Sequence, residues 1–344
     1  MSIQSLQAVA KAMVAPGKGI LAADESTGTI EKRLKSIQVE NTEDNRRAYR
    51  DMLFTAKGLS QYISGVILYD ETLRQKGVGG SPFVETLEKN GIIPGIKVDA
   101  GAKDMALCPG EQVTEGLDNL PKRCTEYVKL GARFAKWRAV INIGKDIPST
   151  ACITANAHAL ARYAAICQAT GLVPIVEPEV IMDTDHTIER CEEVTEWALN
   201  EVYDALYNQR VVLEGTVLKP SMVISGKGCS RQAPAEEVAE RTVKILKRCV
   251  PAAVAGVVFL SGGQSDELAT EHLHIMNKKF GQGLPWPLSF SYGRALQAAS
   301  LKAWKGAQGN IAAGQNALLH RSRMNSLAAA GKYSAEAERQ AKAA

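Results

Sequence analysis

Three lysines end apolar, β-branched runs, positions where an amine is seldom buried without a partner or a task. Lys97 closes GIIPGIK, Lys136 lies in FAKWR and Lys219 follows GTVL. Any one of them is equally well read as a stem crossing the core to carry its ammonium to solvent or to a carboxylate. Three at equivalent positions point to amine chemistry. A neutral amine can add to a ketone and form a Schiff base, and burial together with neighbouring ammonium groups brings a lysine down from its usual value of about 10.4. Lys219, just ahead of Pro220, is the expected nucleophile, with Lys136 as the neighbour whose charge depresses it. Forming and dehydrating the adduct also needs a proton shuttle. Glu177 ends LVPIVE, where an apolar setting would raise its carboxyl towards a useful range. Asp24, at the end of GILAAD, is placed to take a hydroxyl proton as a carbon–carbon bond breaks. Each carboxylate could instead serve as the ion-pair partner of a lysine, which does not exclude catalysis.

Anion binding is expected next to these groups. FLSGGQS offers Ser261, Gly262 and Gly263, whose backbone N–H groups can approach a phosphate closely, and SYGRA adds Gly293 and the forked guanidinium of Arg294. After the first run, Ser26, Thr29, Arg33 and Arg46 could meet a second phosphate, though either arginine could equally be a solvated helix residue. No metal or other cofactor is expected. His272 and His274 in EHLHIMN are two apart on a helical pattern and diverge, and neither H-E-x-x-H nor a cysteine cluster occurs.

These residues need elements to position them. Eight β-rich runs recur along the chain: GILAADES, YISGVILYDE, GIIPGIKVD, ARFAKWRAVI, LVPIVEPEV, VLEGTVLKPSMV, GVVFLSGG and PLSFSYGRAL. Several are apolar almost throughout, as buried parallel strands are. Helical stretches separate most of them. Ile188, Cys191, Val194, Ala198, Val202 and Leu206 recur at spacings of three and four, as do Val238, Val243, Ile245, Leu246 and Cys249 in large part, and Gly131 and Gly171 stand where helices should stop. Eightfold strand–helix alternation predicts an α/β fold of the TIM type, a single (β/α)8 barrel. A doubly wound open sheet is the rival. The barrel is favoured by the side chains ending the runs: Asp24, Glu71, Lys97, Lys136 with Arg138, Glu177 with Glu179, Lys219, Ser261 and Arg294. Closure gathers them in one pocket, whereas an open sheet would string them along a line. One domain is expected over residues 1–344, with a core at about 14–305, an N-terminal helical extension, and a helix and flexible C-terminal tail over about 306–344. EAERQAKAA, with no core-forming residue beyond Ala, is expected to be mobile at its end.

Composition sets the outer bounds. Of 344 residues, 45% are hydrophobic and 23% charged, enough to bury a large core. Forty-one basic residues against 37 acidic ones, scattered rather than clustered, argue against a nucleic-acid partner. Seven cysteines without C-x-x-C spacing read as reduced thiols. The start lacks the pattern of a secretory leader, and the longest apolar run, Ala252 to Leu260, falls far short of the ~20 residues a membrane span requires. A cytoplasmic protein with no membrane partner is expected.

APGKGILAADESTGTIEKRL, IKVD, FAKWR, PIVEPE, LEGTVLKPSMV, FLSGGQS and FSYGRALQ closely resemble the class I fructose-bisphosphate aldolases, in that family's order, from about Val14 to Tyr333. The resemblance implies a (β/α)8 barrel that cleaves fructose 1,6-bisphosphate into dihydroxyacetone phosphate and glyceraldehyde 3-phosphate, in glycolysis and gluconeogenesis. It implies Lys219 as the Schiff-base lysine, Glu177 for proton transfer, Asp24 acting on the substrate hydroxyl, and Lys136 with Arg138 as supporting cations. It further implies a C1-phosphate site at Ser261, Gly262, Gly263, Ser291, Gly293 and Arg294, and a C6-phosphate side at Ser26, Thr29 and Lys97, with Arg33 and Arg46 facing substrate. Glu179, beside Glu177, joins the substrate-binding set. Thr29 stands where many relatives carry Ser and keeps the hydroxyl. Animal members end in a tyrosine that assists proton exchange on the enamine, whereas this sequence ends in AKAA, and Tyr333 matches an earlier position. A homotetramer is also implied.

Overall fold

The computed structural model describes residues 2–340. In chain order the elements begin α1 (Ile3–Met13), β1 (Gly19–Ala23), α2 (Thr27–Ser36), α3 (Glu43–Phe54), β2 (Ile63–Leu68), α4 (Asp70–Arg74), α5 (Phe83–Lys89), β3 (Ile93–Lys97), β4 (Ala102–Asp104), β5 (Gln112–Thr114), α6 (Leu120–Lys129) and β6 (Phe134–Ile141). They continue α7 (Thr150–Thr170), β7 (Val173–Val180), α8 (Ile188–Asn208), β8 (Val217–Leu218), α9 (Ala235–Cys249), β9 (Val257–Phe259), α10 (Asp266–Phe280), β10 (Leu288–Tyr292), α11 (Arg294–Trp304), α12 (Ile311–Ala329) and α13 (Ala335–Gln340). Eight parallel strands close in the order β1-β10-β9-β8-β7-β6-β3-β2. The closing seam pairs Ile20 with Ser291 and Leu21 with Tyr292, which excludes the open sheet.

The strands are buried on both sides, and their period of two sorts residues between two cores. Leu21, Val66, Trp137, Val176, Phe259 and Tyr292 face outward into the layer beneath the helices. Ile20, Ile67, Phe134, Val173, Ile175, Val217 and Val258 form a second cluster inside the barrel. Gly65 and Gly95 leave room for the Phe134 ring, because a Cβ at Gly95 would overlap it. Leu6, Ala10 and Met13 of α1 join this inner cluster and close the amino-terminal end of the barrel. A fully buried Leu or Met side chain contributes roughly 1.5–3 kcal/mol, so the helical extension is part of the floor. The Ser64 hydroxyl ties it down by donating to the carbonyls of Met13 and Gly19.

The predicted stripe on α8 is buried from Ile188 to Leu206, and Gly171 ends α7 in the left-handed region that an L side chain resists. Two segments depart from expectation. A hairpin of β4 and β5 lies between β3 and α6, outside the eight predicted runs. The C-terminal stretch is anchored through polar rather than apolar groups: Glu338 of α13 is buried against Arg321 at 2.6 Å and His320 at 2.8 Å, and accepts from the Tyr333 hydroxyl. Burial would raise the Glu338 carboxyl, but His320 and Arg321 outweigh it and bring it down to about 2. The expected mobile end, residues 341–344, lies outside the described residues. All seven cysteines are free thiols. Among the described residues no helix is long and apolar enough to cross a membrane.

Candidate active site

The inward rows that form the apolar floor continue upward into charge. Asp24 follows Ile20 and Ala22, Lys136 follows Phe134, Glu177 follows Val173 and Ile175, and Lys219 follows Val217, each two residues on along its strand direction. They meet at the carboxyl ends of the strands, around a cavity of about 720 Å³, within the usual range for small-molecule sites.

Lys136 stands at the centre. Its Nζ lies 2.8 Å from Asp24 Oδ2, 3.5 Å from Glu177 Oε2 and 3.9 Å from Asp99 Oδ2. Lys219 Nζ is 3.0 Å from Glu177 Oε1, and Lys97 Nζ is 2.6 Å from Asp99 Oδ1. Burial acts to strip the proton from Lys136, but Asp24, Glu177 and Asp99 outweigh it and hold the ammonium above its ordinary range. Burial likewise raises Asp24, yet Lys136, Lys219 and Lys97 together keep it a carboxylate well below the usual range. Arg138 is raised as well: burial lowers it, but its ion pair with Glu179 prevails. Alternating buried charges are an expensive way to fill space, since apolar residues of similar volume often serve stability as well or better. Their presence in a cleft makes this the candidate functional site.

Glu177 therefore does not sit in an apolar setting; it bridges two ammonium groups and is 3% exposed. The expected crowding of like charges around Lys219 is likewise relieved by interleaved carboxylates.

Around this centre lie the groups that the sequence suggested for anion binding. Ser26 caps α2 without using its hydroxyl on the helix and instead meets the Thr29 hydroxyl at 3.2 Å, so both remain at the cavity. Ser291 is 1% exposed, lines the cavity, and its hydroxyl has no hydrogen-bond partner among the described residues. Arg294 begins α11 and donates from Nη2 to the Gly262 carbonyl at 2.7 Å, while Gly262 takes φ +53°. Ser261 and Gly293 complete this side. Arg33 also lines the cavity, but its guanidinium comes beside Gly293, across from the flank where the sequence suggested a second phosphate. Glu25 holds it there, itself buried between Arg33 and Arg50.

Three residues lie elsewhere than the sequence suggested. Arg46 is not at the cavity; it forms a two-pronged ion pair with Glu71, its Nη2 2.5 Å from Oε1 and its Nε 2.8 Å from Oε2. Glu71 ends no strand, because β2 stops at Leu68 and Glu71 belongs to α4. Gly263 also turns away from the cavity, its N–H directed to Met182 Sδ at 2.9 Å.

Asp99 was missed. It accepts from the backbone N–H of Arg138 and Gly101 while pairing Lys97. Continuing the period of two one step beyond Lys97 would have found it. Lys32 and Tyr69 also reach the cavity, one from a helix and one from a strand end that closes on an aromatic. Among the described residues, no group of three or more His, Cys, Asp or Glu side chains could hold a metal ion.

The family described as glycolytic, fructose-bisphosphate aldolase class-I, matches residues 5–344. The chain belongs to the class I fructose-bisphosphate aldolases. It is 63% identical over 334 residues to the probable fructose-bisphosphate aldolase class 1 of Xanthomonas campestris pv. campestris, covering 97% of this chain and 99% of that one. With fructose-bisphosphate aldolase 5, cytosolic, of Arabidopsis thaliana it shares 57% identity over 324 residues, covering 94% and 90%. The fructose-bisphosphate aldolase of Plasmodium falciparum, in a ternary co-crystal structure with TRAP and a small-molecule inhibitor, superposes with a TM-score of 0.95 at 50% identity, covering 96% of this chain and 95% of that one.

Proposed function

We propose that this aldolase cleaves fructose 1,6-bisphosphate reversibly to dihydroxyacetone phosphate and glyceraldehyde 3-phosphate through a Schiff base on Lys219, within one barrel domain. The observation that carries the reading is the buried Lys219 amine 3.0 Å from Glu177, at the foot of a cavity bounded by hydroxyls and guanidinium groups. Attack on the C2 ketone needs a neutral amine, and Glu177 is in direct reach of the proton that must leave. The same carboxyl then returns a proton as the carbinolamine loses water. In the resulting iminium the nitrogen draws electrons from the C3–C4 bond. Asp24, kept ionised by its lysine neighbours, takes the C4 hydroxyl proton as that bond breaks and the aldehyde product leaves. Lys136 and Arg138 stabilise the carboxylates and the developing charge.

Ser261, Gly262, Ser291, Gly293 and Arg294, joined by Arg33, form the C1-phosphate side. Ser26, Thr29 and Lys97 face the C6 phosphate, with Glu179 orienting Arg138. The family and its cytosolic plant relative support a cytoplasmic, glycolytic enzyme acting on sugar phosphates as a homotetramer.

Borohydride reduction in the presence of dihydroxyacetone phosphate tests the proposal. Peptide mapping should recover the adduct on Lys219, and Lys219→Met should abolish both the adduct and cleavage. Turnover retained by that variant, or lost on treatment with chelators, would refute it.

A further inference from the structure

The loop following β9 carries Ser261 and Gly262 into the cavity, yet its conformation is held from behind. Gln264, 6% exposed, returns to the Ser261 carbonyl twice, through its backbone N–H and through its side-chain Nε2, both at 3.2 Å. The Nε2 also faces Met222 Sδ at 3.6 Å. With both acceptors on the nitrogen side, the Gln264 oxygen must point the other way, where His272 Nδ1 of α10 stands 2.6 Å off. An amide oxygen only accepts, so Nδ1 carries the hydrogen. His272 is 2% exposed, and burial holds it down to about 4, so the neutral ring persists at working pH. Its Nε2 is buried without a partner among the described residues, a cost the fold accepts while keeping the Nδ1 bond.

We propose that His272 and Gln264 are positioning residues for phosphate. The imidazole N–H locks the orientation of the Gln264 amide, the amide grips the Ser261 carbonyl, and the loop is thereby held with Gly262 in its left-handed conformation and its face open to an anion. Neither residue lines the cavity, so their influence on substrate passes through the loop. This rests on assigning Ser261 and Gly262 to a substrate phosphate. It goes beyond that assignment by naming what holds the loop in shape.

The experiment compares borohydride trapping of dihydroxyacetone phosphate and of dihydroxyacetone, two ketones that differ by the phosphate. In both, the Lys219 amine adds to the carbonyl, water leaves, and hydride reduces the iminium carbon. Gln264→Met keeps the volume but removes the grip, and His272→Leu removes the donor. Each should raise the half-saturating concentration of dihydroxyacetone phosphate roughly tenfold, the size expected for one buried hydrogen bond. The dihydroxyacetone curve should not move. His272→Asn, whose side-chain N–H₂ can stand where Nδ1 stood, should restore the wild-type curve, whereas His272→Gln, whose amide lies one atom further out, should not. The last two variants both place an amide at this position and carry the test should the first two fail to fold. Equal shifts for both ketones, no shift at all, or an Asn variant as weak as the Leu variant would overturn the inference. If the wild-type protein gives no adduct on Lys219 with either ketone, the aldolase reading itself falls, a result distinct from normal wild-type trapping with unaltered variants.

Discussion

The two ends of the barrel lumen are built from the same strands, and often from residues only two apart, yet they obey opposite rules. At the amino-terminal end, Phe134, Val173, Ile175 and Val217 pack on one another and on α1. At the carboxyl end, Lys136, Glu177 and Lys219 occupy the next inward positions, with Asp24 and Asp99 between them. The floor needs only volume and apolarity and contributes stability. The upper layer needs particular charges at particular distances, and it can hold them because a rigid floor and a complete hydrogen-bonded cylinder keep each strand end in place. The charged groups of the candidate site and the core are one continuous row of side chains.

This contrast makes separable predictions. The largest effect on chemistry is expected for Glu177→Gln, which keeps shape but removes the proton acceptor beside Lys219. The rate of cleavage should fall by roughly 10²–10⁴-fold, the usual worth of a general acid–base, with little change in melting temperature. A fall below about tenfold in steady-state assays would detach Glu177 from the chemistry. Phe134→Ala should do the reverse. The cavity it leaves in the floor costs about 3–5 kcal/mol, seen as a lowered denaturation midpoint, while activity per folded molecule stays near wild type. Unchanged stability would show that the lumen floor is not the rigid base described above. The smallest effects separate the two arginines that the sequence grouped together. Arg33→Ala removes a guanidinium from the cavity and should raise KM by roughly 10–100-fold, in line with a charge-assisted hydrogen bond of about 1.5–3 kcal/mol. Glu25 retains Arg50 as a partner, which guards the fold. Arg46→Ala should leave KM within about twofold, because that side chain is engaged by Glu71. Equal effects on KM would return Arg46 to the substrate.

Most of the side chains that line the cavity could be picked out in the sequence because strand alternation and strand-end position are local properties. Asp24, Lys136, Glu177 and Lys219 each follow an apolar residue of the same parity, so the row that buries one must bring in the next. What failed to read correctly depended on distance across the fold. Arg33 and Arg46 look alike in the chain, both basic and both on helices after β1, and only the placement of Glu25 and Glu71 sends one into the cavity and the other away. The EAERQ stretch carries no apolar signal, yet Glu338 is buried because Arg321 and His320 wait for it on another helix.

Periodicity of two in the strands and of three to four in the helices, with polar groups at strand ends, was enough to specify eight parallel strands and the ionisable side chains gathered at their tips, since both follow from backbone geometry shared by neighbours. Which ammonium faces which carboxylate was settled by closure of the barrel. That step sets residues as far as 275 positions apart within a few ångströms, as where the Gln297 amide meets the Ala22 carbonyl at 2.7 Å, and Coulombic energy depends on that distance in space, which spacing along the chain does not encode.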